Sequence, residues 1–311
     1  MFPWYLKNPS TEQKTKVLQS FSKITRLVKN DSDSCKFDIE EFAWAWFTVN
    51  TRAVYYKNTT RCPKKASWET NISDDHDNLA LAPFLDMFNH SSTAKIEAGM
   101  NLIPNPSRQF YEIITKTEYK KYDQVFINYG PHGNLRLYVD YGFVEDHNQN
   151  DFVPVVIDEI KEIFACNSNI DSNSPIIQNG ILLVERNRLH QNMRIDYNGP
   201  SWNIAASFFI MNNLLQAKEG KSDQMKVTNE WQSVFEIEDF SGYNDVAFLL
   251  LTLIKSKSNE IAQSIDDIQS KLLVQGNTGT MATTNSFIMA HNLLKLHFYM
   301  LEGAVKCLAQ S

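Results

Sequence analysis

The stretch APFLDMFNHSS, residues 82–92, changes from apolar to polar halfway along its length. Its apolar half carries an acid, Asp86, and its polar half begins with Asn89 and His90. A short apolar run bounded by polar residues is typical of a buried strand or turn. Asn89 and His90 therefore either hydrogen-bond a surface turn, as these residue types often do, or place polar groups inside a site.

The segments that follow this stretch have the patterns of strands and of one short helix. RQFYEIITK and DQVFINYG, residues 108–116 and 123–130, alternate between apolar and polar side chains, which predicts two β-strands. GNLRLYVDYGF, residues 133–143, predicts a short helix that ends at Gly142, because glycine often ends helices in a left-handed conformation.

Two helices are predicted upstream. Ser10 with Gln13, and Asp38 with Glu41, have the spacing of a capping box, in which two side chains bond free N–H groups at a helix start. We therefore expect helices to begin at Ser10 and at Asp38. Residues 61–78 are polar and have no period, which indicates a loop.

The second of these helices is predicted to carry Arg52 on its apolar face, in line with Phe42, Ala45, Trp46 and Val49. A cation in an apolar environment needs an anion or a water channel nearby. A salt bridge to a core carboxylate is the simpler interpretation.

Beyond Asn150 the chain becomes mostly helical, after one further strand predicted in DFVPVVI, residues 151–157. Long helical patterns cover residues 202–217, 246–274 and 284–308. We therefore predict a domain boundary near Asn150, with an α+β first domain over residues 1–150 and a helical second domain over residues 151–311.

Composition excludes some functions and weakly favours others. The formal net charge is −6 over 311 residues, which argues against nucleic acid as the main partner, because phosphate binding needs a basic surface. The four cysteines are scattered and form no C-x-x-C pair, so we expect no metal site. No signal peptide or membrane-spanning run is visible. We expect a cytoplasmic or nuclear protein without direct nucleic-acid or membrane binding.

His90 beside Ser91 also allows a Ser–His hydrolase, but no G-x-S-x-G elbow occurs in the chain.

Four segments taken together indicate a different function for the stretch at Asn89 and His90. WAWFTVNTRAV (44–54), LAPFLDMFNHS (81–91), INYGPHGNLRLYVDYGFV (127–144) and GPSW (199–202) resemble the SET-domain protein methyltransferases, in the branch typified by Rubisco large-subunit lysine methyltransferase.

The resemblance implies an α+β fold: part of a SET domain over residues 1–150, followed by a helical substrate-binding domain over residues 151–311. The SET part would have short strands, inserted helices and a pseudoknot in which the segment at Asn89 is threaded against the INYG strand. The resemblance is specific from Trp44 to Val144 and diffuse in the helical half.

The resemblance also implies S-adenosylmethionine as the cofactor. Asn89 and His90 match the Asn-His pair that holds it, with the backbone there bonding the adenine. Arg52 matches the arginine that meets the carboxylate of the methionine moiety. Tyr129 matches the tyrosine beside the transferring methyl group, and is the implied catalytic residue.

Two further residues, Asp86 and Tyr141, match positions that line the channel of the acceptor lysine in this family.

One feature of the sequence departs from the family pattern. SET domains begin with strands that carry a G-x-G segment around the cofactor, whereas the first glycine of this chain is Gly99. We therefore expect an incomplete form, with little activity by itself and an exposed apolar patch on its first domain.

The resemblance implies a protein-lysine N-methyltransferase that acts on a histone or on another protein. Two alternatives stay open. The chain is a non-catalytic protein-binding relative that has lost cofactor binding, or it transfers the methyl group to a histidine. Measuring cofactor affinity distinguishes the non-catalytic relative from the enzyme. The shape of the acceptor channel determines whether the acceptor is lysine or histidine.

Overall fold

The computed structural model describes residues 3–28, 37–55, 79–100, 111–218, 241–275 and 281–308. These residues fall into two compact units. One unit comprises Leu6–Asn150, and the other comprises Met1–Tyr5 together with Asp151–Ser311. None of the described helices is long and apolar enough to cross a membrane.

Two helices open the Leu6–Asn150 unit: α1, Trp4–Val28, and α2, Ile39–Arg52. Helix α2 begins as predicted. The Asp38 carboxylate accepts hydrogen bonds from the N–H groups of Glu40 and Glu41, and the Glu41 side chain accepts one from the Asp38 N–H. Such a capping box satisfies N–H groups that the helix itself leaves unpaired.

The start predicted for α1 is wrong. The helix begins six residues before Ser10, because Tyr5 and Leu6 are buried and belong to its first turns. Ser10 lies inside the helix, where its hydroxyl donates to Leu6 O at 3.1 Å. Gln13 makes no cap either; its amide donates to Asp140 at 2.8 Å.

The strands that the structure describes in this unit are short and pair in three separate two-stranded sheets. Two pairs are antiparallel and one is parallel. The antiparallel pairs are β1, Ala53–Tyr55, with β2, Leu79–Leu81, and β4, Ile96–Met100, with β5, Tyr111–Thr115. The parallel pair is β3, Asn89–His90, with β6, Phe126–Ile127. As expected, the segment at Asn89 lies beside the INYG strand.

The described part of this unit also contains two short helical segments. A 3₁₀ turn, Leu85–Met87, leads into β3. The short helix α3, Asn134–Arg136, continues as a π-helical turn over Leu137–Tyr141. Gly142 ends this segment as predicted, at φ +79°. That conformation is easy for glycine and strained for residues with a Cβ atom.

Among its described residues, the other unit has one small sheet and five helices. Its strands are β7, Val153–Pro154, β8, Arg194–Asp196, and β9, Gly199–Pro200, in antiparallel order β7-β8-β9. Its helices are α4, Ile157–Ser168, α5, Pro175–Arg186, α6, Trp202–Lys218, α7, Ser241–Gln275, and α8, Met281–Leu308. Most of its core comes from α6, α7 and α8, which bury apolar side chains on several faces. The architecture is thus α+β, with a largely helical second part.

A buried polar network lies within this second unit. The Lys257 side chain is 2% exposed and pairs with Glu159. Its ammonium also lies 5.2 Å from the ring centre of Trp4 and 5.6 Å from that of Tyr5. The indole of Trp4 donates to Glu159 at 3.1 Å. A buried ammonium is costly unless anions and aromatic faces replace its water, and here both are present.

The network continues on the other side of Tyr5. The Tyr5 hydroxyl lies 3.2 Å from His297 Nδ1, and His297 Nε2 lies 3.5 Å from an Asp151 carboxylate oxygen. The His297 and Asp151 side chains are both 0% exposed. Burial, and secondarily the charge of Glu260, raises the pKa of Tyr5 well above its ordinary value. Tyr5 therefore stays a neutral hydrogen-bonding group.

Candidate functional site

Four of the residues implied by the resemblance line one cavity of ≈ 230 Å³ in the Leu6–Asn150 unit. Arg52 comes from the last turn of α2 and Asp86 from the 3₁₀ turn. Tyr129 follows β6, and Tyr141 ends the π-helical turn. These residues lie far apart in the sequence, and the chain brings them together through its two-residue strands and turns.

The Arg52 guanidinium donates to the Asp86 carboxylate at 2.9 Å. This bond and the charge of Asp86 raise the pKa of Arg52 further above its ordinary value. The two side chains are 53% and 32% exposed. The salt bridge to a carboxylate is therefore present, but neither of its partners is buried in the core. The apolar face of α2 is covered at Phe42 but not at Val49, which is 40% exposed.

Aromatic packing on the first turns of α2 explains why Phe42 is buried while Val49 and Arg52 are exposed. Phe42 packs against Phe21 of α1 and Phe37, with ring centres 5.5 Å and 6.2 Å away. This aromatic cluster contacts the first turns of α2, so the last turn is left at the surface. Arg52 can therefore reach the cavity with its guanidinium group still in contact with water.

Tyr129 is held at both ends. Its backbone N–H donates to His90 Nδ1 at 3.1 Å, and its hydroxyl donates to Phe88 O at 2.8 Å. Burial raises the pKa of Tyr129, although the charge of Arg52 opposes the shift. Tyr129 is thus a neutral phenol whose proton points to a backbone carbonyl, and it lies next to the segment at Asn89 and His90 as predicted.

The two residues of that segment face different surroundings. Asn89 is exposed, while the His90 side chain is 0% exposed. Because His90 Nδ1 accepts the Tyr129 N–H, the proton of the neutral ring must be on Nε2. Nε2 lies 3.5 Å from Glu145. Burial lowers the pKa of His90, although the charge of Glu145 opposes the shift.

Glu145 was missed in the sequence, yet it connects three parts of the site. Its carboxylate accepts the Ser92 N–H at 2.9 Å and 3.1 Å. Its backbone exchanges two hydrogen bonds of 2.9 Å with the side chain of Asn134, which is buried. The amide of the fully buried Asn148 adds a bond to His132 O. The polar run EDHNQN after the YGF segment was the available signal.

An aromatic cluster forms the wall behind the cavity. The ring centres of His90 and Tyr129 are 5.1 Å apart, and those of Tyr129 and Tyr141 are 5.2 Å apart. His132 is stacked against Tyr141 at 6.1 Å and 27°. Phe143 lies 5.9 Å from His90 and 6.3 Å from Tyr141. Ring pairs at such distances stabilise one another, so the two tyrosines are fixed relative to the cavity.

The cavity combines a cation, an anion and aromatic faces. Arg52 can pair with a carboxylate and Asp86 with an ammonium group, while the rings of Tyr129 and Tyr141 can attract a positively charged group. Ser92, whose carbonyl accepts a hydrogen bond from the cavity-lining Asn128, has a buried Oγ without a hydrogen-bond partner among the described residues. Such an atom is costly unless a bound group or water satisfies it. These features suit a charged ligand with an amino-acid end.

A second cavity, ≈ 360 Å³, shares the walls of the first at Leu85, Ile96, Tyr111 and Ile127. Its remaining lining is almost entirely apolar, and it includes Phe84 and Phe88. Among the described residues, no group of three or more His, Cys, Asp or Glu side chains is placed to hold a metal ion.

The fold is that of the SET-domain class of protein methyltransferases. It matches a crystal structure of the SET domain of LSMT bound to lysine and AdoHcy, with a TM-score of 0.52. The match covers 96% of this chain and 62% of that chain at 15% sequence identity, so it shows the fold alone. No model of a known protein family matches the sequence.

The sequence itself is similar to SET domain-containing protein 4. It is 31% identical to the protein from Artemia parthenogenetica over 266 residues, which is 83% of this chain and 58% of the relative. It is 32% identical to the protein from Homo sapiens over 219 residues, 68% of this chain and 45% of the relative. The chain thus spans about half the length of these relatives.

A more distant relative carries a more specific name. Ribosomal lysine N-methyltransferase set11 from Schizosaccharomyces pombe is 31% identical over 150 residues, which is 48% of this chain and 33% of that protein. The relatives and the fold together confirm that the chain resembles the SET-domain protein methyltransferases.

Proposed function

We propose that the cavity formed by Arg52, Asp86, Tyr129 and Tyr141 is the methyl-transfer site of a protein-lysine N-methyltransferase that uses S-adenosylmethionine. The observation that carries the proposal is the convergence of these four residues on one cavity. Each of them matches a position that serves the cofactor or the acceptor lysine in the SET-domain class. These four side chains are at most half-buried. Their convergence is therefore not explained by packing of the core.

The residues present fit the amino-acid end of S-adenosylmethionine. Arg52 would pair with its carboxylate, since a guanidinium has five N–H donors and Asp86 engages only one side of it. Asn89 and His90 would contribute through the backbone, because the His90 ring is already engaged by Tyr129. Ser92 Oγ offers a further polar atom close to this segment.

The cofactor supplies a methyl group activated by its bond to a positively charged sulfur. Transfer forms a bond between the lysine nitrogen and the methyl carbon, breaks the carbon–sulfur bond, and leaves its electron pair on sulfur. The lysine must be neutral, so it gives its extra proton to water first. Burial beside a positive charge lowers the pKa of an amine and favours that loss.

Within this scheme, the chain contributes position and water exclusion. The Tyr129 hydroxyl donates a hydrogen bond to Phe88 O, so its oxygen would be able to accept one from a group in the cavity. The Tyr141 ring lies beside it and would narrow the path of the acceptor side chain. Correct alignment of two reactants supplies about 7–11 kcal/mol of a barrier of this kind.

A protein substrate suits the rim of the site. Phe84 and Met87 flank Asp86 on the 3₁₀ turn and are 78% and 80% exposed. Exposed apolar side chains of this size mark interaction surfaces. The net charge of −6 suits a lysine-rich partner. We accordingly propose a histone or another protein in the cytoplasm or nucleus as the substrate.

A second candidate function is protein binding without catalysis. One observation favours it. The Arg52 guanidinium, which would meet the carboxylate of the cofactor, is already paired with Asp86. In this second case the cavity would keep its shape but would not bind the cofactor tightly enough for turnover.

Calorimetric titration of Met1–Ser311 with S-adenosylhomocysteine separates these candidates. If the chain is an enzyme, we expect it to bind S-adenosylhomocysteine measurably. Arg52→Ala should then weaken this binding about tenfold to a hundredfold, because it removes a charge-assisted hydrogen bond. Arg26→Ala, at an exposed arginine in α1, is the matched control. If the wild-type chain does not bind, the methyltransferase proposal fails for this chain and the protein-binding role is left.

The acceptor is identified in the same preparation with a radiolabelled methyl donor. Histones and whole-cell protein are incubated with the chain and then hydrolysed to amino acids. Methyl-lysine supports the proposed acceptor, whereas methylhistidine would change the acceptor while keeping the site.

A further inference from the structure

We propose that His132 is a positioning residue that holds Tyr141 in place against the cavity. The proposal rests on the proposed function, in which Tyr141 lines the path of the acceptor side chain. His132 does not line the cavity itself. It would therefore act through the ring of Tyr141 and not on the reacting atoms.

The four rings form a row in which two tyrosines lie between two histidines. The order is His90, Tyr129, Tyr141 and His132, with successive ring centres 5.1 Å, 5.2 Å and 6.1 Å apart. The last pair is the most nearly parallel, at 27°. Tyr129 is fixed by two hydrogen bonds. Tyr141 depends more on ring contacts, and among its ring partners Tyr129, His132 and Phe143 the ring of His132 is the most nearly parallel to it.

The backbone holds His132 in the position that this stacking needs. Its N–H donates to Gly130 O at 2.8 Å, and its carbonyl accepts the amide of the fully buried Asn148 at 2.9 Å. Gly130 has a φ of +133°, and a Cβ atom there would lie 2.8 Å from His132 Nε2. The missing side chain of Gly130 thus provides the space that the imidazole ring occupies.

The ring is suited to stacking because it is neutral at neutral pH. Burial lowers the pKa of His132, and the charges of Arg136 and His90 lower it further, while Asp140 and a bond to the Tyr129 backbone oppose the shift. A neutral ring does not need a counter-ion or water. It can therefore lie flat against Tyr141 at a half-buried position.

The stacking role and an acid–base role predict different outcomes for two substitutions. His132→Phe keeps a flat ring and removes both nitrogens, whereas His132→Ala removes the ring. We expect His132→Ala to lower the rate of methyl transfer about threefold to tenfold, in line with the strength of one aromatic pair, with S-adenosylhomocysteine affinity unchanged. His132→Phe should recover most of that loss. His190→Ala, at an exposed histidine in the other unit, is the matched control.

A second readout does not depend on activity. The chain is labelled with ¹³C in the tyrosine rings, and the Tyr141 signal is assigned with Tyr141→Phe. His132→Ala should shift or broaden that signal, and His132→Phe should leave a single sharp one. An unmoved Tyr141 signal in His132→Ala overturns the proposal, as does loss of transfer in His132→Phe equal to that in His132→Ala. Failure of the wild-type chain to bind S-adenosylhomocysteine overturns the proposed function instead, and leaves the result on the ring stack standing.

Discussion

The candidate site and the Lys257 network both join charged and aromatic side chains, but they differ in exposure. Lys257 is 2% exposed and His297 is 0% exposed, and each lies beside an acidic side chain, Glu159 and Asp151 respectively. Arg52 is 53% exposed and Asp86 is 32% exposed, and both face a cavity. The same residue types therefore serve stability in one unit, while in the other they are placed where a ligand can reach them.

This difference predicts different consequences of substitution. A buried charge that loses its partner cannot be rehydrated, so the free energy of unfolding falls. A half-exposed charge that loses its partner is rehydrated by water, so stability changes little. Loss of binding or turnover, without loss of stability, is the result that marks a functional group.

The largest effect is expected for Lys257→Met, which removes the ammonium and leaves Glu159 without its cation. Breaking a buried ion pair by removing one partner costs about 3–5 kcal/mol. We expect a loss of this size in the free energy of unfolding, measured by urea denaturation. Lys255→Met, at an exposed lysine two residues earlier, should change it by less than about 0.5 kcal/mol.

Replacing both partners sharpens the test. The double variant Lys257→Met with Glu159→Gln should recover part of the stability lost by Lys257→Met, because position 159 no longer carries an unpaired charge. If Lys257→Met has no more effect than Lys255→Met, the network is not structural and the contrast between the two regions fails.

Tyr129→Phe is expected to affect turnover more than stability. The hydroxyl makes one neutral hydrogen bond, to Phe88 O, so its loss should reduce the free energy of unfolding by only about 1 kcal/mol. Methyl transfer should fall about a hundredfold, as when one preorganised group is removed from other active sites. The measurement is transfer of a radiolabelled methyl group, with S-adenosylhomocysteine affinity determined in parallel.

Tyr119→Phe is the matched control for this prediction. Its hydroxyl also bonds the backbone, at Phe126, but Tyr119 does not line the polar cavity. Equal loss of transfer in both variants would show that the effect comes from the structure of the unit and not from the reacting centre.

Gly130→Ala is expected to destabilise the site unit more than Gly142→Ala does. Both glycines have positive φ, +133° and +79°. At Gly142 an added Cβ meets nothing within 4 Å, while at Gly130 it would lie 2.8 Å from His132 Nε2. We expect a loss of about 1–2 kcal/mol for Gly142→Ala from backbone strain alone, and a larger one for Gly130→Ala. Thermal unfolding measures both, and the reverse order would contradict this account of the Gly130 loop.

The smallest effect is expected from pH. Burial lowers the pKa of His90 in the folded chain, whereas in the unfolded chain it is near 6.5. The unfolded chain therefore takes up a proton first, so this contribution to stability is present above pH 6.5 and is lost as the pH falls. His90→Gln should make the free energy of unfolding depend less on pH below that value.

Other histidines limit the size of this change. The pKa values of His132 and His291 are also lowered by burial, so part of the pH dependence will persist in His90→Gln. An unchanged slope in this variant would mean that His90 does not accept the Tyr129 N–H through an unprotonated Nδ1.

Local features of the fold could be predicted from the sequence where a few neighbouring residues decide them. The Asp38 cap and the end of the π-helical turn at Gly142 are confirmed, because both depend on one or two side chains. The cap at Ser10 is wrong, because burial of Tyr5 and Leu6 starts the helix earlier. A capping pattern gives no information about which apolar residues before it are buried.

The site could be predicted in part, and only through resemblance. No local period indicates that Arg52 and Asp86 pair across 34 residues, or that Ser92 and Glu145 pair across 53. Motifs carried over from a known class identified the first pair of residues. Glu145 and Asn148 lie outside those motifs, and Asn134 lies within one of them without a role assigned to it, so the roles of all three depend on their contacts in the fold. The roles of all site residues in binding and catalysis stay predictions.

The helical unit is discontinuous in the sequence, because Trp4 and Tyr5 belong to it while Leu6 begins the other unit. A fragment that starts at Asp151 would therefore lose the indole that bonds Glu159 and the phenol that bonds His297. Trimming a few residues from the start of α1 would damage a unit whose other residues lie more than 140 positions downstream. Any division of this protein into separately expressed halves must keep that short segment with the C-terminal half.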